Sequence, residues 1–253
     1  MLNDFLDINF INKMAIWQER AELLFKTEGI ERLKNAHVLI VGLGGVGSFA
    51  AEFITRAGVG NLTIVDGDVV DITNINRQLP ALHSTVNQPK IEVLAQRLLD
   101  INPELKLTKH QEFLTPERAT EIITTEFDYV MDCIDSITPK LNLIKSAKSK
   151  KVKVISNMGA GGKMLASKVV VKDISKTDVC PLAKTIRRRL KKMGVSKGVK
   201  AVFSTEVPDE NSVKLTDGTN FKKSFYGTNS WMPALFGLYA AETVIRYLLD
   251  QKN

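Results

Sequence analysis

The residues best able to hold a phosphate are four glycines, Gly42, Gly44, Gly45 and Gly47, between two short apolar runs. Val38–Val41 reads as a buried strand, and a helix follows over about Val46–Arg56. A second strand, Leu62–Val65, ends in acid at Asp66. In such a strand–turn–helix–strand unit each glycine has a task. Gly42 permits a tight turn, Gly44 lets backbone N–H groups reach phosphate, and Gly47 lets the helix pack closely on the strand. Unpaired N–H groups at the helix start favour an anion there. Asp66, 19 residues past Gly47, stands where an acid accepts hydrogen bonds from ribose hydroxyls. The structural alternative is a glycine-tight turn without a ligand.

The residues after Asp66 bear on which nucleotide is bound. They read DGDVVDITNINRQ, with Asp68, Asn74, Asn76, Arg77 and Gln78. A dinucleotide oxidoreductase has no evident use for this cluster, whereas an enzyme that cleaves a nucleoside triphosphate has. Arg77 can take a phosphate with two parallel hydrogen bonds, and the asparagines can orient phosphate or metal-bound water. Lys90 follows Gln88–Pro89, with Pro89 in a helix's first turn. It reads either as a polyphosphate ligand or as a solvated surface lysine. Asp135 ends the predicted strand Tyr129–Ile134. It can hold the Mg²⁺ that accompanies ATP, or orient substrate; alternatively Asp135 or Ser136 caps the helix that starts in SITPKLNLIKSA.

In order and spacing, GLGGVGS, the acid at Asp66, NINRQ, Lys90 and CIDS resemble the nucleotide site of the E1-like (ThiF-type) adenylating enzymes. That superfamily includes ubiquitin-activating enzymes and bacterial sulfur-carrier activators. More narrowly, WQERAELLF, NINRQLPALHSTV, DCIDSITPK, SNMGAGGK, VKDISKTDVCPLAKTIRRRLKK, VFSTE and FGLYAAETVI are similar to the tRNA threonylcarbamoyladenosine dehydratase family, over about residues 13–250. The resemblance implies ATP and Mg²⁺ as cofactors and tRNA as substrate. A carboxylate on the modified adenosine attacks the α-phosphate, and the acyl-adenylate then cyclises with loss of AMP. It implies Asp66 on the ribose, Arg77 and Lys90 on the phosphates and Asp135 on Mg²⁺. It also implies a homodimer in which Arg20 reaches the partner's site. The chain departs from these relatives in having Leu165 where they commonly carry Asp, and in lacking a cysteine in GTNSWMP. The alternative enzyme reading is an adenylating activator of a ubiquitin-like or sulfur-carrier protein. A non-catalytic ATP- and RNA-binding regulator and a Rossmann oxidoreductase are the other readings.

Only two cysteines, Cys133 and Cys180, occur in the 253 residues, so no four-cysteine structural zinc site can form. Cys133 reads as core within its strand; Cys180 is the better candidate for a reactive thiol. The formal charge is +7, which suits an anionic partner. Residues 184–200 hold eight Lys or Arg and no acid. Leu182, Ile186, Leu190 and Met193 share one helical face, so Arg187, Arg188, Arg189, Lys191 and Lys192 are presented outward. They read as tRNA phosphate contacts or as a solvated face.

The economical architecture is a single α/β domain over residues 1–253, a Rossmann-like, doubly wound and mostly parallel sheet. N-terminal helices occupy 1–35, the nucleotide-binding core 36–160, and C-terminal strands, the basic helix and a closing helix 161–253. Val152–Asn157 reads as a further strand, and Val169–Lys172 and Val199–Ser204 as antiparallel additions. Pro208–Asn220 reads as a loop or hairpin turning at Asp217-Gly218, and Trp231–Leu249 as an amphipathic helix. The longest apolar stretch, Pro233–Ala241, is too short for a bilayer, and residues 1–35 lack the apolar core of a signal peptide. These features predict a cytoplasmic protein with no membrane association.

Overall fold

A computed structural model describes residues 17–215 and 224–250. The first helix, α1 (Glu19–Asn35), leads into β1 (His37–Val41), α2 (Gly47–Arg56) and β2 (Asn61–Val65). There follow α3 (Lys90–Ile101), β3 (Lys106–His110), α4 (Pro116–Ile122), β4 (Tyr129–Asp132), α5 (Ile137–Ser149) and β5 (Lys153–Asn157). The C-terminal part adds β6 (Val169–Asp173), α6 (Pro181–Lys192), β7 (Lys200–Ser204), the hairpin β8 (Val213–Leu215) and β9 (Ser224–Tyr226), and α7 (Trp231–Asp250).

Seven strands form one sheet in the order β3-β2-β1-β4-β5-β7-β6, every neighbouring pair parallel except β6 with β7. Both faces are covered, so β1 is apolar and buried from Val38 to Val41 rather than alternating. Val38 and Ile40 pack under α2, α3 and α7, against Ile54, Leu94 and Phe236. Leu39 and Val41 pack on the opposite side against Ile144, Ile186 and Leu190 of α5 and α6. β1 pairs with β2 on one side and β4 on the other. The chain therefore changes winding direction at β1, and a crevice opens beyond the carboxyl ends of the strands there.

Two strand expectations change. The strand around Val199–Ser204 starts at Lys200 and runs parallel to β5; only Val169–Asp173 is antiparallel, on the outer edge. The connection from β5 to β7 includes α6, and a helical crossover of that length returns the chain in the same direction. The strand predicted to reach Ile134 stops at Asp132, which puts Cys133 in the following turn. The predicted turn at Asp217-Gly218 and most of the N-terminal segment before α1 lie outside the described residues. Among the described residues no helix is long and apolar enough to cross a membrane.

Candidate active site

The glycine turn is shaped by its own backbone. Gly42 has φ +89°, and a Cβ there would lie 2.9 Å from the Cys133 carbonyl oxygen. A Cβ on Gly47 would lie 1.7 Å from the Gly42 carbonyl oxygen, so α2 cannot approach β1 with any larger residue. Gly44 is different: a Cβ there would meet only the Gln78 side chain, at 3.7 Å. That open side is where a phosphate can come up against backbone N–H groups.

Asp66 follows β2 and is nearly buried. One carboxylate oxygen accepts from the Leu43 N–H (2.6 Å) and the other from the Asp68 N–H (2.7 Å). It therefore ties the glycine turn to the turn after β2, and each oxygen keeps a lone pair for a ribose hydroxyl. Burial pushes its carboxyl up; the two N–H donors and Lys90 pull against that. Lys90 is 5% exposed, which overturns the surface-lysine alternative. Pro89 stands one position earlier than expected, as the cap before α3 rather than inside it. Asp68 fixes Lys90 twice. Its carbonyl oxygen accepts from the Lys90 N–H (3.0 Å), and its carboxylate from the ammonium (2.9 Å). The ammonium is thus held at the crevice, where a second anion can share it.

The Asn-x-Asn-Arg-Gln cluster divides its labour. Asn74 is buried, and its side-chain oxygen accepts from the Asp71 N–H (3.2 Å), closing the short 3₁₀ turn Ile72–Asn74. Asn76 is a bridge. Its oxygen accepts from Arg77 Nη1 (2.8 Å) and its amide donates to the Thr228 carbonyl oxygen (2.9 Å). Arg77 also donates to the Thr73 carbonyl oxygen (2.8 Å), so its guanidinium is aimed before any ligand arrives. Burial lowers the guanidinium's pKa, and the nearby Asp135 and Asp71 carboxylates oppose that, which brings Arg77 and Asp135 into one electrostatic group. Ser136 occupies the cap position of α5, and its hydroxyl makes no capping hydrogen bond.

Two further buried lysines belong to this region; they close the stretches DCIDSITPK and SNMGAGGK, but nothing in those stretches marks either lysine as a site residue. Lys140 lies wholly inside, against the Asp132 carboxylate (2.6 Å), the Ser156 hydroxyl (3.2 Å) and the Asn157 carbonyl oxygen (2.9 Å). Its burial is signalled along the chain by its place in the stripe Lys140, Leu143, Ile144, Ala147, where helical spacing calls for an apolar residue. Lys163 is buried after the glycines that follow β5, donating to the Gly159 carbonyl oxygen (2.8 Å). Burial lowers its pKa, and Cys180 and Glu206 beside it oppose the shift.

Residues 18–253 match the ThiF family. The chain belongs to the ThiF family. It is similar to the tRNA threonylcarbamoyladenosine dehydratase of Bacillus subtilis, 41% identical over 237 residues that cover 91% of this chain and 93% of that one. The Haemophilus influenzae protein of the same name is 36% identical over 240 residues, covering 91% and 92%. Among solved structures, Escherichia coli tRNA N6-threonylcarbamoyladenosine dehydratase in complex with ATP matches with a TM-score of 0.83 at 35% identity. That match covers 92% of this chain and 95% of the other.

In this ThiF-family chain the remaining candidates fall away from the nucleotide crevice or change role. Arg20 is exposed on the first turn of α1. Arg188, Arg189, Lys191 and Lys192 are exposed on α6, whose buried face is Ala183, Ile186 and Leu190. Arg187 is not presented outward: its Nη1 donates to the Thr177 carbonyl oxygen (2.7 Å) and hydroxyl (2.5 Å), fastening α6 to the turn before it. Cys180 is buried at the start of α6, which removes the access a reactive thiol needs. Leu165 offers its N–H, not a carboxylate: Glu206 accepts from it (2.8 Å) and from the Met164 N–H (3.0 and 3.1 Å).

Proposed function

We propose that this protein dehydrates N6-threonylcarbamoyladenosine in tRNA at the expense of ATP, through a carboxyl-adenylate. What carries this reading is a conjunction. The glycine turn, Asp66, Lys90, Arg77 and Asp135 stand round one crevice, in a chain 91% of which aligns with a named dehydratase.

A carboxylate resists substitution because its oxygen is a poor leaving group. In the reading proposed here, a carboxylate oxygen of the threonyl group attacks the α-phosphorus, and the bond from that phosphorus to the bridging oxygen breaks as pyrophosphate leaves. The substrate's carbamoyl group then attacks the activated carbon, AMP departs, and one proton is lost. The elements of water leave as an oxygen on AMP and a proton. Asp66 orients the ribose, the glycine turn and Lys90 hold the phosphates, and Arg77 faces the charge that builds at the α-phosphate. Most of the rate gain is then positioning and charge neutralisation.

Among the described residues no cluster of three or more metal-ligating side chains occurs. That suits Mg²⁺ held by one carboxylate and the nucleotide's phosphates. Asp135 is the residue that would hold it, and the ion would supply neutralisation of phosphate charge. A homodimer in which Arg20 reaches the partner's phosphates, and a cytoplasmic location alongside tRNA, complete the proposal.

The test is conversion of purified tRNA bearing threonylcarbamoyladenosine, followed by nucleoside mass spectrometry. Loss of one water from that nucleoside, with one AMP and one pyrophosphate per event, is the expected result. Pyrophosphate release that answers to a carrier protein with a Gly-Gly tail and not to tRNA would overturn it.

A further inference from the structure

Trp231 is 43% exposed at the first residue of α7, although its indole is held rather than loose. The ring N–H donates to the Met164 carbonyl oxygen (3.1 Å), which lays the indole on the loop after β5. Its neighbours are fixed as firmly. The Asn229 side-chain oxygen accepts from the Met232 N–H (2.8 Å), and its amide donates to the Lys163 carbonyl oxygen (2.8 Å). The Thr228 carbonyl oxygen takes the Asn76 amide, next to Arg77. Pro233 touches the phosphate turn itself, since a Cβ on Gly45 would come within 3.0 Å of its ring. The segment 228–233 thus bridges the glycine turn and the β5 loop, with the indole on its rim.

The sheet order decides which partner this ring can meet. Running β2, β1, β4, β5, the carboxyl edge carries the ribose acid Asp66, the phosphate turn, Asp135, and then the loop under Trp231. With Asp66 on the ribose and the glycine turn on the phosphates, the adenine of ATP would lie beyond the ribose, away from β4. A molecule bringing a carboxylate to the α-phosphate would then come from the β4–β5 side. An indole with its one polar atom satisfied offers a flat apolar face, and such faces stack unpaired bases. The first turn of the basic helix packs against the same loop, since a Cβ on Gly159 would lie 3.9 Å from the Leu182 side chain. Its exposed Arg188, Arg189, Lys191 and Lys192 span roughly 6 Å of helix axis at 1.5 Å per residue, a compact cationic cluster whose long side chains can reach neighbouring phosphates.

We propose that Trp231 is a stacking platform for an unpaired tRNA base beside the modified adenosine, positioning that nucleoside while its carboxylate meets the α-phosphate. This rests on the dehydratase function proposed above. Wild-type turnover of threonylcarbamoyl-bearing tRNA is therefore measured first; without it both proposals fall.

Given turnover, Trp231→Leu should raise the KM for tRNA roughly tenfold and leave the KM for ATP within twofold. Trp231→Phe should recover most of the loss, since a phenyl ring also stacks. The fluorescence arm keeps the native residue. In a Trp17→Phe background Trp231 is the one remaining tryptophan. Purified tRNA bearing threonylcarbamoyladenosine should quench it, and ATP alone should not. An unchanged tRNA KM in a folded Trp231→Leu protein overturns the platform. So does a Phe variant as impaired as the Leu one, or an RNA titration that leaves the emission unchanged.

Discussion

The Lys140 ammonium lies 2.6 Å from the Asp132 carboxylate, and neither side chain has any exposed surface. Both stand directly behind the turn that delivers Asp135. The other Asp132 oxygen accepts from the Ile134 N–H (3.1 Å), and the Asp132 carbonyl oxygen takes the Asn157 amide (3.2 Å). Ser156 donates to the same carboxylate that Lys140 meets (2.5 Å). One buried network therefore joins the carboxyl ends of β4 and β5 to α5, and Asp135 leaves it with its backbone already set.

Lys140→Met should cost about 3–5 kcal/mol of stability, because it leaves the Asp132 carboxylate buried without its cation. Pairing it with Asp132→Asn should cost less than the two single changes added together, by more than about 1 kcal/mol. Urea denaturation of the four proteins checks this. Strict additivity would mean that the two groups do not act as a pair.

Asp135→Ala and Arg77→Ala should each lower adenylate formation at least about a hundredfold, the usual cost of removing a group that faces transition-state charge. Circular dichroism and thermal melting should stay close to wild type for Asp135→Ala, since that residue is exposed. Arg77→Ala should melt slightly earlier, without the bonds to Thr73 and Asn76. Pyrophosphate release under single-turnover conditions is the measurement. Near wild-type release by either variant would remove it from the proposed machinery.

The thiols should be spectators. Burial pushes the Cys133 thiol up to about 12, so at pH 8 it remains protonated and unreactive. Cys133 is partly covered and Cys180 is buried. A disulfide reagent should label neither cysteine within minutes in the native protein, and both after unfolding. Cys133→Ala with Cys180→Ser should adenylate and cyclise at the wild-type rate per folded molecule. A folded double variant that adenylates but fails to cyclise would argue for a covalent thioester.

The parts of the candidate nucleotide crevice are legible in sequence because they are local. A glycine turn, an acid at a strand end and a short polar cluster each sit within a few residues of the strand that places them. What could not be read depends on chain segments far apart. Asn76 has the character of a phosphate ligand along the chain, but its amide meets Thr228, 152 residues away. Lys140 takes its meaning from Ser156 and Asn157 on the next strand, which no helical pattern encodes. The direction of β7 follows from where the crossover through α6 returns, not from its own alternation. Arg187 shows the limit of counting charges: three consecutive arginines look equivalent along the chain, and the helix turns one of them inward.

That difference within α6 separates two effects. Arg188, Arg189 and Lys191 are exposed, so changing all three to Glu should leave the fold intact and weaken tRNA binding strongly. Every phosphate that the variant no longer neutralises should also flatten the dependence of log Kd on log salt by roughly 0.7–0.9. ATP affinity should not move, because that crevice is built from β1, β2 and β4. Arg187→Ala should behave in the opposite way. It removes two hydrogen bonds from a charged donor to Thr177, so stability should fall by about 1–3 kcal/mol. The salt slope should stay at the wild-type value. Binding of threonylcarbamoyl-bearing tRNA across a salt series, with ATP binding and thermal melting in parallel, distinguishes the two. An unchanged slope in the triple variant would make the exposed face of α6 merely solvated. A flattened slope in a stable Arg187→Ala protein would show that this guanidinium leaves Thr177 to meet the RNA.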